Sequence, residues 1–600
     1  MKTCRPLQLL AVAAVMFLAA CGGSRSSTST SSGTPTIAIA PAAGSVPPGA
    51  SLQLQANLTN SSSTAVTWAI SSSGTSEGTM SSSGLYTAPA AAPSPNTVNI
   101  TATSQADSSL TASATITVLA AGYSNASLQG QYAISFSGHD NSGAGIAWAG
   151  SFAADGHGNI TNGIEDINDG LNGVTPAAAF TGSYAIGPDG RGTLTLLPAG
   201  GTTENFRIVL SSAAPSAAAQ IIDFDAGTAG LGSGQILQQT PAAFTTSAFS
   251  GKYAFLLQGE DDSQYAASGA SYPWAIAGEC TASGAGSISA CTEDSNDALA
   301  TSSGPLNGTY ALSIDANGRG TLTLPNPQGG TADFVVYAVS GSEFLFLDTD
   351  ANDPLLGTAE LEQNLPTTLQ GNYVFALSGY DAFQNSSSQT VLYAATAAGA
   401  MTTDGNGNIT AGDSDYNDEG TLNGGSSQPF ALSSGTYSLP ASGRITMAFL
   451  VGGSSTNTFS VYMFNAQQGF MVETDGTSTD SGMMYAQAAS PAASAVAGYY
   501  TFSLSGWDST NAASAAPTPL SLLGELSADG VSAWAGTQDV NDNASLTPSQ
   551  AISGTFKIGS LGRGTATAGS SNYVVYVISP SQFVLLGAYT STVIGTAQLY

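Results

Sequence analysis

Basic residues are nearly missing from this 600-residue chain: lysine and arginine total 10 against 40 acidic residues, a formal charge of −30 in a sequence only 8% charged. A surface of that sign repels phosphate backbones and anionic headgroups, so nucleic acid is excluded as a partner and electrostatic docking on a lipid surface with it. Histidine is scarcer still: His139 and His157 are the only two, too few bases for a Ser-His-Asp triad and too few ligands for zinc. No stretch shows the apolar period of a helix, and the N-terminal apolar run from Leu9 to Ala20 is too short to span a bilayer comfortably. Gly74-Thr75-Ser76-Glu77-Gly78 has the spelling of a nucleophile elbow, yet it lies in a serine-rich loop without strand-turn-helix surroundings. An enzyme is therefore not expected. Solubility falls to Ser, Thr, Asn, Gly and dispersed carboxylates, whose default role is to keep the protein in solution, though such a surface also suits calcium or a basic partner.

In place of charge the chain has repetition. Four copies of one pattern open at Gly130-Gln131-Tyr132, Gly251-Lys252-Tyr253, Gly371-Asn372-Tyr373 and Gly498-Tyr499-Tyr500, and each later places an arginine at an equivalent position: Arg191, Arg319, Arg444 and Arg563. The first strand of each copy carries large apolar residues at every second position, as in Tyr132, Ile134, Phe136 and Tyr500, Phe502, Leu504, with small or polar residues between. That alternation predicts one face on a core and the other on water. About eight strands fit in each copy, which favours an antiparallel eight-stranded meander closed into a barrel, ahead of a sandwich per copy or a single outer-membrane barrel ending at Tyr600. The expected fold is all-β: four such barrels on a string, at 127–240, 248–363, 368–487 and 495–600, with joints short enough for neighbours to touch.

Three further elements bear on function. Every copy contains Asp-x-Asn-Asp: Asp166, Asn168 and Asp169; Asp294, Asn296 and Asp297; Asp415, Asn417 and Asp418; Asp539, Asn541 and Asp542. Such oxygen clusters suit calcium, the one candidate cofactor. The favoured reading is instead a buried ion pair between an aspartate and the arginine of its own repeat, such as Asp294 with Arg319, the remaining groups capping a turn. A second element keeps glycine and aspartate around a varying residue, in Gly138-His139-Asp140, Gly259-Glu260-Asp261, Gly379-Tyr380-Asp381 and Gly506-Trp507-Asp508. It reads as a strand-end turn whose varying position could present rings such as Tyr380 and Trp507 to a sugar or a protein, packing being the commoner fate of such aromatics. In the third element, Cys280 and Cys291 flank the turn Ser283-Gly284-Ala285-Gly286, where two antiparallel strands would bring them together as a disulfide. Two weaker signals are Asp348-Thr349-Asp350-Ala351-Asn352, a calcium-loop start without its glycine or distant glutamate, and the glycosidase-like pair Glu165 and Asp166.

The N-terminus joins a basic start and an apolar core to Leu18-Ala19-Ala20-Cys21, and so resembles the lipobox of bacterial lipoproteins. That resemblance implies removal of residues 1–20 and lipidation of Cys21, whose acyl chains would anchor the protein, with Gly22 in place of aspartate favouring the outer membrane. Residues 21–34, rich in Ser, Thr and Gly, read as a flexible tether. Short alternating strands follow over 35–119, and Val66-Thr67-Trp68, Gly84-Leu85-Tyr86-Thr87-Ala88-Pro89 and Val98-Asn99-Ile100-Thr101-Ala102 resemble the bacterial Ig-like domains of the Big-2 type. Members of that family serve as spacers or adhesion modules, which implies a stalk. The expectation is a lipid-anchored envelope protein, facing the surface or the periplasm, that binds a glycan or a surface protein with avidity from its repeats. A structural spacer and a polysaccharide-active enzyme or accessory are the alternatives.

Overall fold

The computed structural model describes residues 33–599 except 71–76, 141, 212–217, 226–230, 264–270, 313–316, 326–330, 385–389, 440–442, 452–454, 490, 510–516 and 589. Cys21, its tether and most of the elbow-like loop at Gly74 therefore lie outside the described residues. Those described form an all-β chain with no α-helix, an Ig-like sandwich followed by four closed eight-stranded barrels. In the sandwich, strand Ala43–Val46 runs parallel to Thr111–Val118, beside Thr97–Ser104 and Val66–Ile70. Each barrel is a plain up-and-down meander whose first strand also pairs with its last: Gln129–His139 with Leu231–Gln238, Ser250–Asp261 with Leu355–Leu361, Gln370–Gln384 with Ser481–Ala486, and Ala497–Asp508 with Ser591–Leu599. The third barrel adds a two-residue strand, Thr421–Leu422, beside its ring of eight.

The period-two pattern places one face of each strand inside its barrel. Tyr132, Ile134 and Phe136 meet Phe152, Leu194 and Ile208 in the first core, and the equivalent sets fill the other three. Full burial of such a side chain is worth about 1.5–3 kcal/mol, and a dozen or more of them per barrel hold each closed. The Cys280–Cys291 disulfide forms as expected and lies in the core of the second barrel.

The other face does not meet water. Ala133, Ala147 and Ala149 of the first barrel are buried against Val335, Tyr337, Leu345 and Leu347 of the second. Ala254, Ala275 and Ala277 of the second meet Tyr462, Phe464, Phe470 and Val472 of the third. Val374, Ala398 and Ala400 of the third meet Val574, Tyr576, Val584 and Leu586 of the fourth. The small-residue face of strands one and two thus takes the bulky face of strands six and seven from the next copy. The same contact then returns to the start, with Leu523 of the fourth barrel against Val209 and Ile222 of the first. A head-to-tail interface repeated four times has closed, so the barrels form a ring and not a string.

The Ig-like domain lies across the joint between the last barrel and the first, and is no free-standing stalk. The Ser45 backbone N–H donates to Ser527 Oγ at 2.7 Å, Gln55 donates to Ser553 at 2.8 Å, and Ala535 of the fourth barrel joins the sandwich core. On the other side Tyr123, just past the domain, is buried in the core of the first barrel.

The repeated glycine of the second element is explained by the barrel seam. A Cβ on Gly138 would stand 2.3 Å from the Leu231 carbonyl oxygen, one on Gly259 2.1 Å from that of Pro354, and one on Gly506 2.0 Å from that of Thr592. No rotamer relieves a clash with backbone. Gly138→Ala should lower stability by about 1–3 kcal/mol, as overpacking does, whereas Gly304→Ala, where a Cβ meets nothing within 4 Å, should be neutral or slightly stabilising; comparing the urea midpoints of the two variants checks this.

Candidate functional site at the ring axis

The arginines and aspartates singled out in the sequence do pair, but across barrels. Arg319 of the second barrel forks onto Asp166 of the first, Nε to Oδ2 and Nη2 to Oδ1, both at 2.7 Å. Arg444 does the same to Asp294 at 2.6 and 2.7 Å, and Arg563 to Asp415 at 2.6 and 2.7 Å. The expected pairing of Arg319 with Asp294 in its own repeat is therefore wrong. A tyrosine of the next barrel completes each site: Tyr337, Tyr462 and Tyr576 donate to Asp166, Asp294 and Asp415 at 2.6, 2.5 and 2.6 Å. Burial would raise the Asp294 carboxyl, but the bonds from Arg444, Tyr462 and Ser460 outweigh it and hold the group below its ordinary range.

The asparagine of each motif also reaches over. Asn168 donates to the carbonyls of Asp348, Asp350 and Asp353; Asn296 to those of Glu473 and Ser478; Asn417 to those of Gly587 and Ser591; Asn541 to that of Asp223. The calcium-like spelling at Asp348 is thus the acceptor loop of a barrel junction. In the first copy the last aspartate stays at home, Asp169 accepting the N–H groups of Leu171 and Asn172. Asn168 Oδ1, Asn417 Oδ1 and Asp418 Oδ1 are buried without a hydrogen bond, while both oxygens of Asp166, Asp294 and Asp415 are taken by the arginines, and no group of three or more His, Cys, Asp or Glu among the described residues is arranged around a metal position.

The fourth junction differs. Val209 replaces the tyrosine, and Asp539 lies 3.4 Å from Arg191 Nε and 3.8 Å from Arg207 Nε, with Arg207 also stacked 4.4 Å over Phe224. Tyr499 of the last barrel makes up contact by entering the core of the first and donating to the Asp189 carbonyl at 2.8 Å. Asp542 and Asp297 complete their copies of the motif in sequence, and burial raises Asp542 above its ordinary value, with Asp508 nearby. Asp418 is raised further, to about 6, by burial and then by Asp381.

Glu165 and Asp166 do not act as a pair. Successive strand residues point to opposite faces, and Asp166 is spent on Arg319. Glu165 is buried with neither carboxyl oxygen bonded, and burial, then Glu204 and Asp166, push it up to about 8.

What the ring brings together is the varying residue of the second element. His139, Glu260, Tyr380 and Trp507, one from each barrel, meet on the axis and are not displayed on the surface. His139 Nε2 lies 2.9 Å from Glu260 Oε1, and the Tyr380 hydroxyl donates to the same oxygen at 3.3 Å. The Trp507 ring is 4.7 Å from His139 and 6.4 Å from Tyr380. Asp262 stands behind, accepting from the Gly145 N–H at 2.9 Å and from the Ser271 hydroxyl. Burial alone would lower His139, but the charge and hydrogen bond of Glu260, with Asp262 and Asp140 beyond, carry it above its ordinary 6.5. Glu260 is opposed by burial in the same way and held below its ordinary 4.5, chiefly by His139.

This cluster forms one end of a chamber of about 320 Å3. Residues opposite one another in antiparallel strands share a face, and register sets the wall. Ser378 is opposite Thr396 and Ser481 in the third barrel, Ser137 opposite Ser233 in the first, Ser505 opposite Ser521 in the fourth, and the second barrel supplies Gln258. Gln258 donates to Ser481 Oγ at 2.8 Å. Ser137 and Ser378 remain exposed at the centre of the ring, so solvent enters. The aromatic members of the cluster were visible in the sequence as a varying position. The chamber was not, although small, uncharged residues on the outer face of strands one and two, where water was expected, signal that the face is covered.

The comparisons with known proteins bear on the N-terminal part. Residues 34–119 match the bacterial Ig-like domain (group 2). No curated protein matches the chain. Among solved structures, Transferrin Binding Protein B of Haemophilus parasuis is 10% identical over 66% of this chain and 86% of its own, with a TM-score of 0.17. Intact Ap-TbpB, with N and C lobes, is 10% identical over 64% and 83%, with a TM-score of 0.15. At such scores the likeness says nothing of how this chain is built or what it binds.

Two outcomes test this geometry. In double-mutant cycles Arg319 should couple to Asp166 by more than about 1 kcal/mol and to Asp294 by less than about 0.5 kcal/mol, and Arg319→Ala alone should cost about 3 kcal/mol or more by leaving Asp166 buried and unpaired. By NMR, His139 should titrate above 6.5 in the parent and lower than the parent in Glu260→Gln, where only Asp262 and Asp140 still oppose burial. Because His139 is raised, its contribution to stability is complete below 6.5 and is lost as pH rises through the folded value. Because Glu260 is lowered, its contribution is present above 4.5 and is lost as pH falls through its folded value.

Proposed function

We propose that this chain is a lipid-anchored protein of the bacterial cell envelope that recognises a ligand at the axis of its barrel ring. The observation that carries the reading is a division of labour within the repeats. All four copies keep the glycine at the barrel seam and the aspartate, asparagine and arginine that join barrel to barrel, and they differ at the four positions that converge on the axis. A scaffold held constant around a varied centre is how a site is grafted onto a fold. The ring also changes the source of binding strength: the copies build one composite site, so avidity from four equivalent sites is not the mechanism.

The location rests on the lipobox-like Leu18-Ala19-Ala20-Cys21 and on the match of residues 34–119 to a bacterial Ig-like domain. We read the protein as non-catalytic, since its axial histidine is committed to Glu260 and its exposed His157 bonds its own turn at Asp155. Labelled palmitate should enter the parent and not Cys21→Ala, and the variant should move from the membrane to the soluble fraction; an unlabelled, soluble parent would end the anchoring half. The binding half fails if Tyr380→Phe with Trp507→Phe melts like the parent and leaves every interaction with envelope glycans and proteins unchanged.

A further inference from the structure

We infer that the axial chamber binds a neutral, polyhydroxylated small molecule of monosaccharide size. The inference rests on the reading of the axis as a binding site and names the ligand class. The wall of the chamber presents nine serine and threonine hydroxyls, that of Tyr380 and one amide, and its only acidic or basic side chains are His139 and Glu260, bonded to each other. Each serine or threonine hydroxyl both donates and accepts, so the wall matches a ligand whose own groups do both. At its upper end Glu260 is already engaged, hydrogen-bonded to His139 and to the Tyr380 hydroxyl. An ionic ligand would leave its hydration behind and gain no free counter-charge, a cost that a neutral polyol avoids.

One buried group at the chamber lacks a partner. Thr396 is 2% exposed and its hydroxyl makes no hydrogen bond. A buried polar group without a partner is costly enough that one normally arrives from outside, as water or as ligand. Thr396 stands beside Ser378 and Ser481, so a ligand hydroxyl reaching it meets three side-chain hydroxyls on one wall. Trp507 and Tyr380 line the upper end, and an aromatic face there suits the C–H face of a sugar ring. The volume of about 320 Å3 falls at the low end of small-ligand pockets, about 300–1,000 Å3.

The test is calorimetric titration of the full chain in detergent, near neutral pH, with glucose, galactose, mannose, xylose and N-acetylglucosamine, and with glucosamine and glucuronate as charged probes of like size. At least one neutral sugar should give a saturable isotherm. Ser378→Leu, which fills the chamber, should weaken it at least about tenfold, and Thr396→Val, equal in volume and removing only the unpartnered hydroxyl, about three- to tenfold, the scale of one hydrogen bond. Thr396→Val takes away a buried polar group, so it folds and stands as the readout even if Ser378→Leu does not. Saturation by glucosamine or glucuronate alone, lost in Ser378→Leu, would overturn the ligand class and leave the axis as a binding site. Absence of any saturable isotherm, or isotherms indifferent to both variants, would mean a chamber that holds water only and would overturn the inference together with the reading beneath it.

Discussion

The ring depends on a carboxylate that one barrel buries and the next must neutralise. Asp166, Asp294 and Asp415 sit on the outer face of a third strand, almost wholly removed from water. A charge in that position is tolerable only with a partner of fixed geometry, and the planar guanidinium of an arginine satisfies both carboxylate oxygens at once. The chain has only 10 basic residues and places four of them at this equivalent position. Because the partner comes from the following copy, the pair specifies more than a contact. With the asparagine beside it reaching the neighbour's carbonyls, it fixes how far and at what angle each barrel follows the last.

Closure follows from applying that relation four times, and the last application is not like the others. The joint between the fourth barrel and the first lacks the tyrosine, holds its aspartate between two arginines at longer distances, and recruits Tyr499 into the neighbouring core. The Ig-like domain lies over this joint and touches both barrels. An N-terminal domain is well placed to do so, since the two ends of the repeat array meet there. The domain is thus part of the ring's construction as well as a link toward the N-terminus.

The elements that depend on neighbours along the chain are legible in the residues themselves. Alternating Tyr132, Ile134 and Phe136 announce a strand with one apolar face, eight such strands in about 115 residues announce a closed meander, and Cys280 and Cys291 on either side of a tight turn announce a disulfide. The Asp-x-Asn-Asp motif is legible as a paired element, but the expected partner lies one copy too early. In a tandem repeat each arginine is a chemically equal candidate for every aspartate, and nothing local distinguishes its own copy from the next. Likewise the residues leave Trp507 and Tyr380 open between surface rings and packed ones, because a strand end in an isolated barrel faces water and only a neighbouring barrel covers it.

By itself the sequence determined what short range controls: the strand period, the barrel as the unit, the count of units, and the residues each unit keeps or varies. Only the tertiary structure decided what those units share. Which barrel receives a given aspartate, whether the array runs on or closes, and that His139, Glu260, Tyr380 and Trp507 meet around one chamber are consequences of a rotation repeated at successive interfaces. That rotation is a sum over many side chains of two different copies, small on one face and bulky on the other, and no segment of the chain contains it.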